Sequence, residues 1–340
     1  MPPPSKTVPA QLRAILQFDA YAALIPLPGM ALLLFGGVQL HEQIAAGIAA
    51  GAAYSVGFGV TKKFWRSRSY AVVLTGTGMT AVAFIGTLVG NDPIVELAAT
   101  AILGACCGAL SRRNADHWWA CLQIIIAFLL AASFPGTVTD GALRAAIVAG
   151  GAALQCVSVM AMIHLIGEPR PTIPGPADHS STVEVRFHAL RAAICISVAL
   201  LASRTAGFAH SYWAPMTAML VLKPGLRDTA GQGLERIAGT IAGIIVASGL
   251  TRIAPSDAWT ATFAILTASV SFGLQQARYA VFSAAITTSV LLMIALAGGA
   301  LPGADRERLL ATLLGGAIAL AGAAIAPRRR TNKNSGGDHL

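Results

Sequence analysis

The side chains able to do chemistry on a small molecule are few and fall late in the chain: Tyr212, Trp213, Pro215, Lys223, Arg236 and Arg308. A guanidinium stays charged and grips a carboxylate through two parallel hydrogen bonds, so Arg236 and Arg308 suit the mouths of a pathway for anionic solutes. Trp213 or Tyr212 beside them would stack on an aromatic ring. Pro215 has no N–H and clashes with the preceding turn, which frees carbonyls near the middle of an apolar segment; broken helices of this kind line polar cavities in transporters. Each residue also has a plainer role open to it. Tyr212 and Trp213 suit an interfacial aromatic belt, and the arginines could set topology and snorkel to headgroups. Lys223, beside Pro224, suits a helix-end charge, and Pro215 a structural kink.

A second group, Glu184, His188 and Arg191, stands at i, i+4 and i+7, one face of a helix. That spacing suits a proton relay, and equally an interfacial ion pair beside a neutral imidazole. Ionisable groups are otherwise scarce in the apolar segments, where a central charge costs about 2.5–3.5 kcal/mol. Glu96 falls near one helix end and His164 near another. No GxxxxGK[ST] occurs despite 35 glycines, so no ATP-driven engine is encoded here. Neither a Ser/His/Asp triad, a paired-carboxylate pattern nor a Cys/His metal spacing stands out, which argues against an intramembrane enzyme and against a metal or other cofactor. Cys106, Cys107, Cys121, Cys156 and Cys195 read as small apolar fillers.

The elements that must position these residues are hydrophobic helices. Charged residues make up only 11% of the chain against about a quarter in soluble domains. Apolar runs recur at the length, about 20 residues, that carries a helix across a hydrocarbon core. Twelve are expected, near Tyr21–Leu40, Gln43–Val60, Tyr70–Gly90, Ile94–Leu110, Trp118–Phe134 and Ala142–Ile166, then Phe187–Ser203, Ala206–Leu222, Ile237–Ile253, Trp259–Leu274, Tyr279–Gly299 and Leu309–Ala326. Ala206–Leu222 is short and holds Pro215. The architecture is therefore an all-α, polytopic transmembrane bundle with two six-helix halves, 20–166 and 187–327. A cytoplasmic N-terminal segment (1–19), a Pro-rich linker (167–186) and a basic tail (328–340) flank them. The first span, with no cleavage site before it, is expected to be retained.

With both termini in the cytoplasm, nineteen of the 24 lysines and arginines fall on the cytoplasmic side; Arg144, Arg204, Arg252, Arg306 and Arg308 fall on the other. That is the positive-inside pattern, and it turns the net charge of +9 into a topological signal instead of a nucleic-acid footprint. Six spans per half keep the halves in one orientation, and Arg144 and Arg308 open similar closing segments, so a duplication would be a parallel repeat. Leu226, Ala230, Leu234 and Ile237 form an apolar stripe opposite Arg227, Asp228 and Glu235, which suggests a short interfacial helix before the next span. Gly47/Gly51, Gly86/Gly90, Gly104/Gly108 and Gly239/Gly243 are expected packing faces, within one chain or in a homo-oligomer.

Tyr212-Trp213-Ala214, the apolar stretch to Lys223-Pro224-Gly225, and Glu235-Arg236-Ile237-Ala238-Gly239-Thr240-x-x-Gly243 together resemble the fusaric acid resistance protein-like (FUSC) family, which is related to bacterial aromatic acid exporters. Glu307-Arg308-Leu309 to Thr312-Leu313-Leu314-Gly315 looks like the family's second arginine element. The resemblance covers residues 187–330; the first half is supported by hydropathy alone. Relatives often carry a sizeable cytoplasmic domain between membrane halves, where this chain has only the linker. The resemblance implies a multi-pass protein of the bacterial inner (plasma) membrane. It also implies export of small organic or aromatic carboxylic acids by proton coupling, with an organic anion and membrane lipids as partners. A membrane scaffold or assembly partner that transports nothing is the competing reading.

Overall fold

The computed structural model describes residues 17–62, 67–169, 181–299 and 301–325. The expected N-terminal segment and basic tail lie almost wholly outside the described residues, as does most of the linker. Among the described residues the fold is a polytopic bundle of twelve helices. In chain order they are α1 (Ala20–Leu40, interrupted by a turn at Ile25–Pro26), α2 (Gln43–Gly57, continued by the 3-10 turn Phe58–Thr61), α3 (Arg68–Val89), α4 (Pro93–Ser111), α5 (Ala115–Ala132) and α6 (Val138–Ile166). The second six are α7 (Thr182–Thr205), α8 (Trp213–Val221), α9 (Leu226–Ile253), α10 (Asp257–Gly273), α11 (Tyr279–Leu296) and α12 (Leu301–Ala324). Ten are long and apolar enough to cross a membrane by length and composition; α8 and α10 fall short in length.

In hydrocarbon a backbone can satisfy its N–H and C=O groups only within itself, which is why these apolar runs are helical. Short polar residues start them. Asp19, Asp92 and Asn114 accept from N–H groups of the first turn, and Thr137 with Asp140 and Ser181 with Glu184 form reciprocal capping boxes. The Ser181 cap moves the start of α7 back to Thr182, so the last residues assigned to the linker are helical. The expected interfacial helix is absent as a separate element, because α9 runs unbroken from Leu226 to Ile253. Its apolar stripe faces outward, with Leu226 and Leu234 exposed, while Thr229, Gly233, Arg236, Thr240 and Gly243 are buried. Lipid is itself the apolar solvent, so small and polar side chains turn toward protein.

The two halves are built alike. Ala115 and Ala132, which bound α5, stand 164 residues before Tyr279 and Leu296, which bound α11. The same offset carries each helix of the first half onto the helix six places later. Packing follows it: α3 against α5 and α6 is matched by α9 against α11 and α12, and α2 against α6 by α8 against α12. Across the halves, α4 on α7 is matched by α10 on α1. This is the pattern of a parallel repeat.

Glycines make the close contacts. A Cβ on Gly104 or Gly108 would run into Ala192, Ala193 or Ile196 of α7, one on Gly86 or Gly90 into the end of α5, and one on Gly239 or Gly243 into α11. The pair Gly47/Gly51 does not pack in this way: Gly51 has nothing within 4 Å and Gly47 only Ala297 at 3.6 Å. Gly151 takes that role at α2, against the backbone of Ala49.

Candidate functional site

Arg236 and Arg308 are both buried, at 3% and 5% exposure. Arg236 donates from Nη1 to Ser283 Oγ at 3.1 Å; its Nε and the Nε of Arg308 have no hydrogen-bond partner. Neither guanidinium is ion-paired among the described residues. Arg236 is instead the strongest charged neighbour of Arg308, and Tyr212, Tyr279 and Tyr54 also lie within its electrostatic reach. The guanidinium carbon of Arg308 sits 4.9 Å from the Trp213 ring centroid. Buried Tyr279 Oη and Thr287 Oγ1 likewise lack partners. The result is a buried polar site with two cations, aromatic faces and unused hydrogen-bonding groups, and no carboxylate bound to either guanidinium.

Helix geometry explains the convergence. Gly239 and Gly243 bring α9 close to α11, and Gly315 presses α12 against the backbone of α8 at Ala214. Thr240 and Thr312 meet at 3.5 Å between Oγ1 atoms, each one turn after its arginine. The first half offers a control. Arg144, 164 residues before Arg308, donates to Thr87 Oγ1 at 2.6 Å and to the carbonyls of Ala131 and Phe134 at 3.2 and 2.6 Å. It clamps a helix end through Nη1. Arg308, at the equivalent place in the second half, has no such clamp among the described residues.

The other sequence candidates sort differently. Tyr212 and Trp213 are buried, so they do not form a lipid-facing belt. Pro215 does not break a helix at mid-span: residues 206–212 are not helical, α8 begins at Trp213, and Pro215 lies in its first turn, where a missing N–H costs little. The carbonyl of Ser211, four residues back, accepts from Ser203 Oγ at 2.7 Å. Lys223 stands at the end of α8 with Nζ 5.3 Å from the Trp118 ring centroid. Burial pushes its ammonium below the usual lysine value, against an opposing pull from Asp228. Lys223, Arg227, Asp228 and Glu235 line an open cleft of roughly 470 Å³ at the charge-rich end of the bundle.

His188 and Arg191 do come together, with Arg191 Nη2 2.7 Å from His188 Nδ1. The same Nη2 donates to the carbonyls of Lys223 and Pro224 at 2.9 and 3.2 Å, tying α7 to the end of α8. Glu184 serves the α7 cap through Ser181. Two residues beside the arginines were not singled out from sequence. Glu307 accepts from the N–H groups of Ala209 and His210 and lies 2.6 Å from His210 Nδ1, while the His210 ring stacks on Trp213 at 4.3 Å and 8°. Among the described residues no group of three or more His, Cys, Asp or Glu side chains could hold a metal.

Residues 195–322, which hold this site apart from Tyr54, match the family described as fusaric acid resistance protein-like. Stretches of this chain are 31% identical over 131 residues to an uncharacterized protein of Haemophilus influenzae and 27% identical over 134 residues to the uncharacterized protein ORF2 of Neisseria gonorrhoeae. A third is 30% identical over 138 residues to inner membrane protein YccS of Escherichia coli. These matches cover 38–39% of this chain and 18%, 32% and 18% of those proteins, so the chain spans between about a fifth and a third of the curated relatives' length. No solved structure matches.

Proposed function

We propose that this chain is a secondary transporter of a bacterial-type inner membrane, with its charge-rich end in the cytoplasm, and that it exports small organic acids, aromatic carboxylates among them, by proton coupling. One observation carries this reading: two buried guanidiniums on the adjoining helices α9 and α12 have no carboxylate partner among the described residues. An unpaired buried charge is expensive, and two of like sign more so, unless an anion completes the site. A carboxylate held in two-pronged fashion by one arginine, its ring on Trp213, satisfies donors that the protein leaves open. The match to a fusaric acid resistance protein-like family favours a transport role, and the name of the Escherichia coli relative favours the inner membrane.

His188 is the proton-coupling candidate. Neutral, it accepts from Arg191; protonated, it repels Arg191 and loosens the clamp on the Lys223 and Pro224 carbonyls at the end of α8. Arg112 also faces Arg191 electrostatically and adds to that repulsion. Proteoliposomes loaded with a fluorescent aromatic acid test the whole reading. Efflux driven by a pH gradient, lost in Arg308→Gln and with altered pH dependence in His188→Ala, is expected. Flux equal to that of empty vesicles across a chemically broad panel would leave a scaffold instead.

A further inference from the structure

Within the second half lies a shorter repeat. Glu235-Arg236-Ile237-Ala238-Gly239-Thr240-Ile241-Ala242-Gly243 on α9 and Glu307-Arg308-Leu309-Leu310-Ala311-Thr312-Leu313-Leu314-Gly315 on α12 share Glu, Arg, Thr and Gly at the same spacing, 72 residues apart. The same offset places α7, α8 and α9 over α10, α11 and α12. Three helices is an odd number, so the second triplet runs the other way through the bundle. The contacts agree: Thr240 meets Thr312 while Ser248 Oγ donates to Asp305 at 2.8 Å, so numbers rise along α9 as they fall along α12.

The two threonines lie at the middle of their helices, and the arginines stand one turn to either side of them, about 12 Å apart along the axis. The preceding glutamates lie further out, toward opposite ends. Glu235, at the charge-rich end, accepts from Arg278 Nε at 2.9 Å and from the Ala280 N–H at 3.2 Å, holding the start of α11. Glu307, at the other end, holds the approach to α8 through Ala209 and His210. The cleft lined by Glu235 opens beside the first of these contacts.

We infer that this motif builds two oppositely facing gates on one anion site: Glu235 with Arg278 closes access to Arg236 from the charge-rich end, and Glu307 with His210 closes access to Arg308 from the opposite end. The inference rests on the transporter reading, since gates matter only if a solute passes. It adds that a carboxylate passes between two equivalent arginines, and that releasing either glutamate opens one end alone.

The test uses the full chain with its five cysteines replaced and a single reporter, Thr240→Cys, between the arginines. A membrane-impermeant maleimide is applied to right-side-out and inside-out vesicles. Glu235→Gln is expected to raise labelling at least tenfold from the charge-rich end only, and Glu307→Gln from the opposite end only. Charge reversal guards against misfolding: Glu235→Arg with Arg278→Glu should restore the closed state that either single reversal opens. Both glutamine variants opening one and the same end, or neither changing labelling, overturns the gates. Flux with end-blind labelling would discard the gates and keep the transporter; end-specific labelling without flux would do the reverse.

Discussion

The guanidinium of Arg308 lies 4.9 Å from the ring of Trp213, and His210 stacks on that same ring at 4.3 Å. One indole therefore links a buried cation to the latch at the charge-poor end, and its flat face is the surface an aromatic solute would share with Arg308. Benzoate binding to protein in nanodiscs tests the cation. Arg308→Gln should weaken binding at least tenfold, about 1.4 kcal/mol. Arg308→Lys keeps a charge without the planar fork and should recover only part of the loss. A lysine variant as tight as the parent would show that a point charge suffices.

Packing at Gly243 makes a sharper structural prediction. A Cβ there would lie 2.6 Å from the Ala284 carbonyl oxygen and 2.6 Å from Thr287 Cβ, so α9 and α11 must part. Gly243→Ala is expected to cost about 1–3 kcal/mol, as overpacking does. Gly249→Ala, six residues on in the same helix with nothing within 4 Å, should gain up to about 1 kcal/mol from helix propensity. Thermal unfolding of the two variants in one detergent decides it: equal shifts would remove close packing as the explanation.

These two cases also show what local spacing encodes. Helix positions, the arginine motif and the close-packing glycines at 239 and 243 could be read from sequence because each rests on a pattern contiguous in the chain, about 20 residues for a span and fewer than a dozen for the motif and the glycine pair. The role of Pro215 could not: whether it breaks a helix depends on where that helix begins, and the non-helical turns from Ala206 to Tyr212 move the start to Trp213. His210 with Glu307 and Tyr54 with Ser271 pair residues 97 or more apart, and no local period announces such partners. The stripe of Leu226 and Leu234 was legible and does face outward, but its separation from the next span was not real, because the helix runs unbroken from Leu226 to Ile253.

At the junction of the halves, Glu96 of α4 is fully buried and paired with Arg204 of α7, whose Nη2 donates to Oε1 at 2.7 Å. Removing one member strands the other. Arg204 is about a third exposed and can find water, whereas Glu96 cannot. Arg204→Ala should therefore destabilise by about 2–3 kcal/mol, less than a wholly buried pair. Adding Glu96→Gln should recover much of that loss. A double variant as unstable as the sum of the singles would deny the coupling.

Lys223 gives a pH dependence whose sign follows from burial. Its ammonium is held below the ordinary lysine value, chiefly by desolvation. The charged form is thus penalised in the fold, and stability from this residue is greatest above the unfolded value of about 10.4 and falls as pH drops toward the folded value. Lys223→Met keeps the stem on Trp118 and removes the penalty. The variant should melt above the parent at neutral pH, with the gap closing as pH approaches 10. A gap that widens toward high pH reverses the sign and with it the assignment.

The orientation proposed for the bundle makes a prediction independent of the site. The α3–α4 connection around Asn91 and the α5–α6 connection around Ser133 carry no lysine or arginine, while the α4–α5 connection carries Arg112 and Arg113. Basic residues near span ends are retained on the cytoplasmic side, so the first two connections should face outward and the third inward. In a cysteine-free background, Asn91→Cys should react with an impermeant maleimide in intact cells, and Arg113→Cys only after the membrane is opened. Asn91 lies on the same end of the bundle as Glu307, and Arg113 on the same end as Glu235. Labelling at 113 and none at 91 would invert the bundle, and the latch of Glu235 and Arg278 would then face the outside.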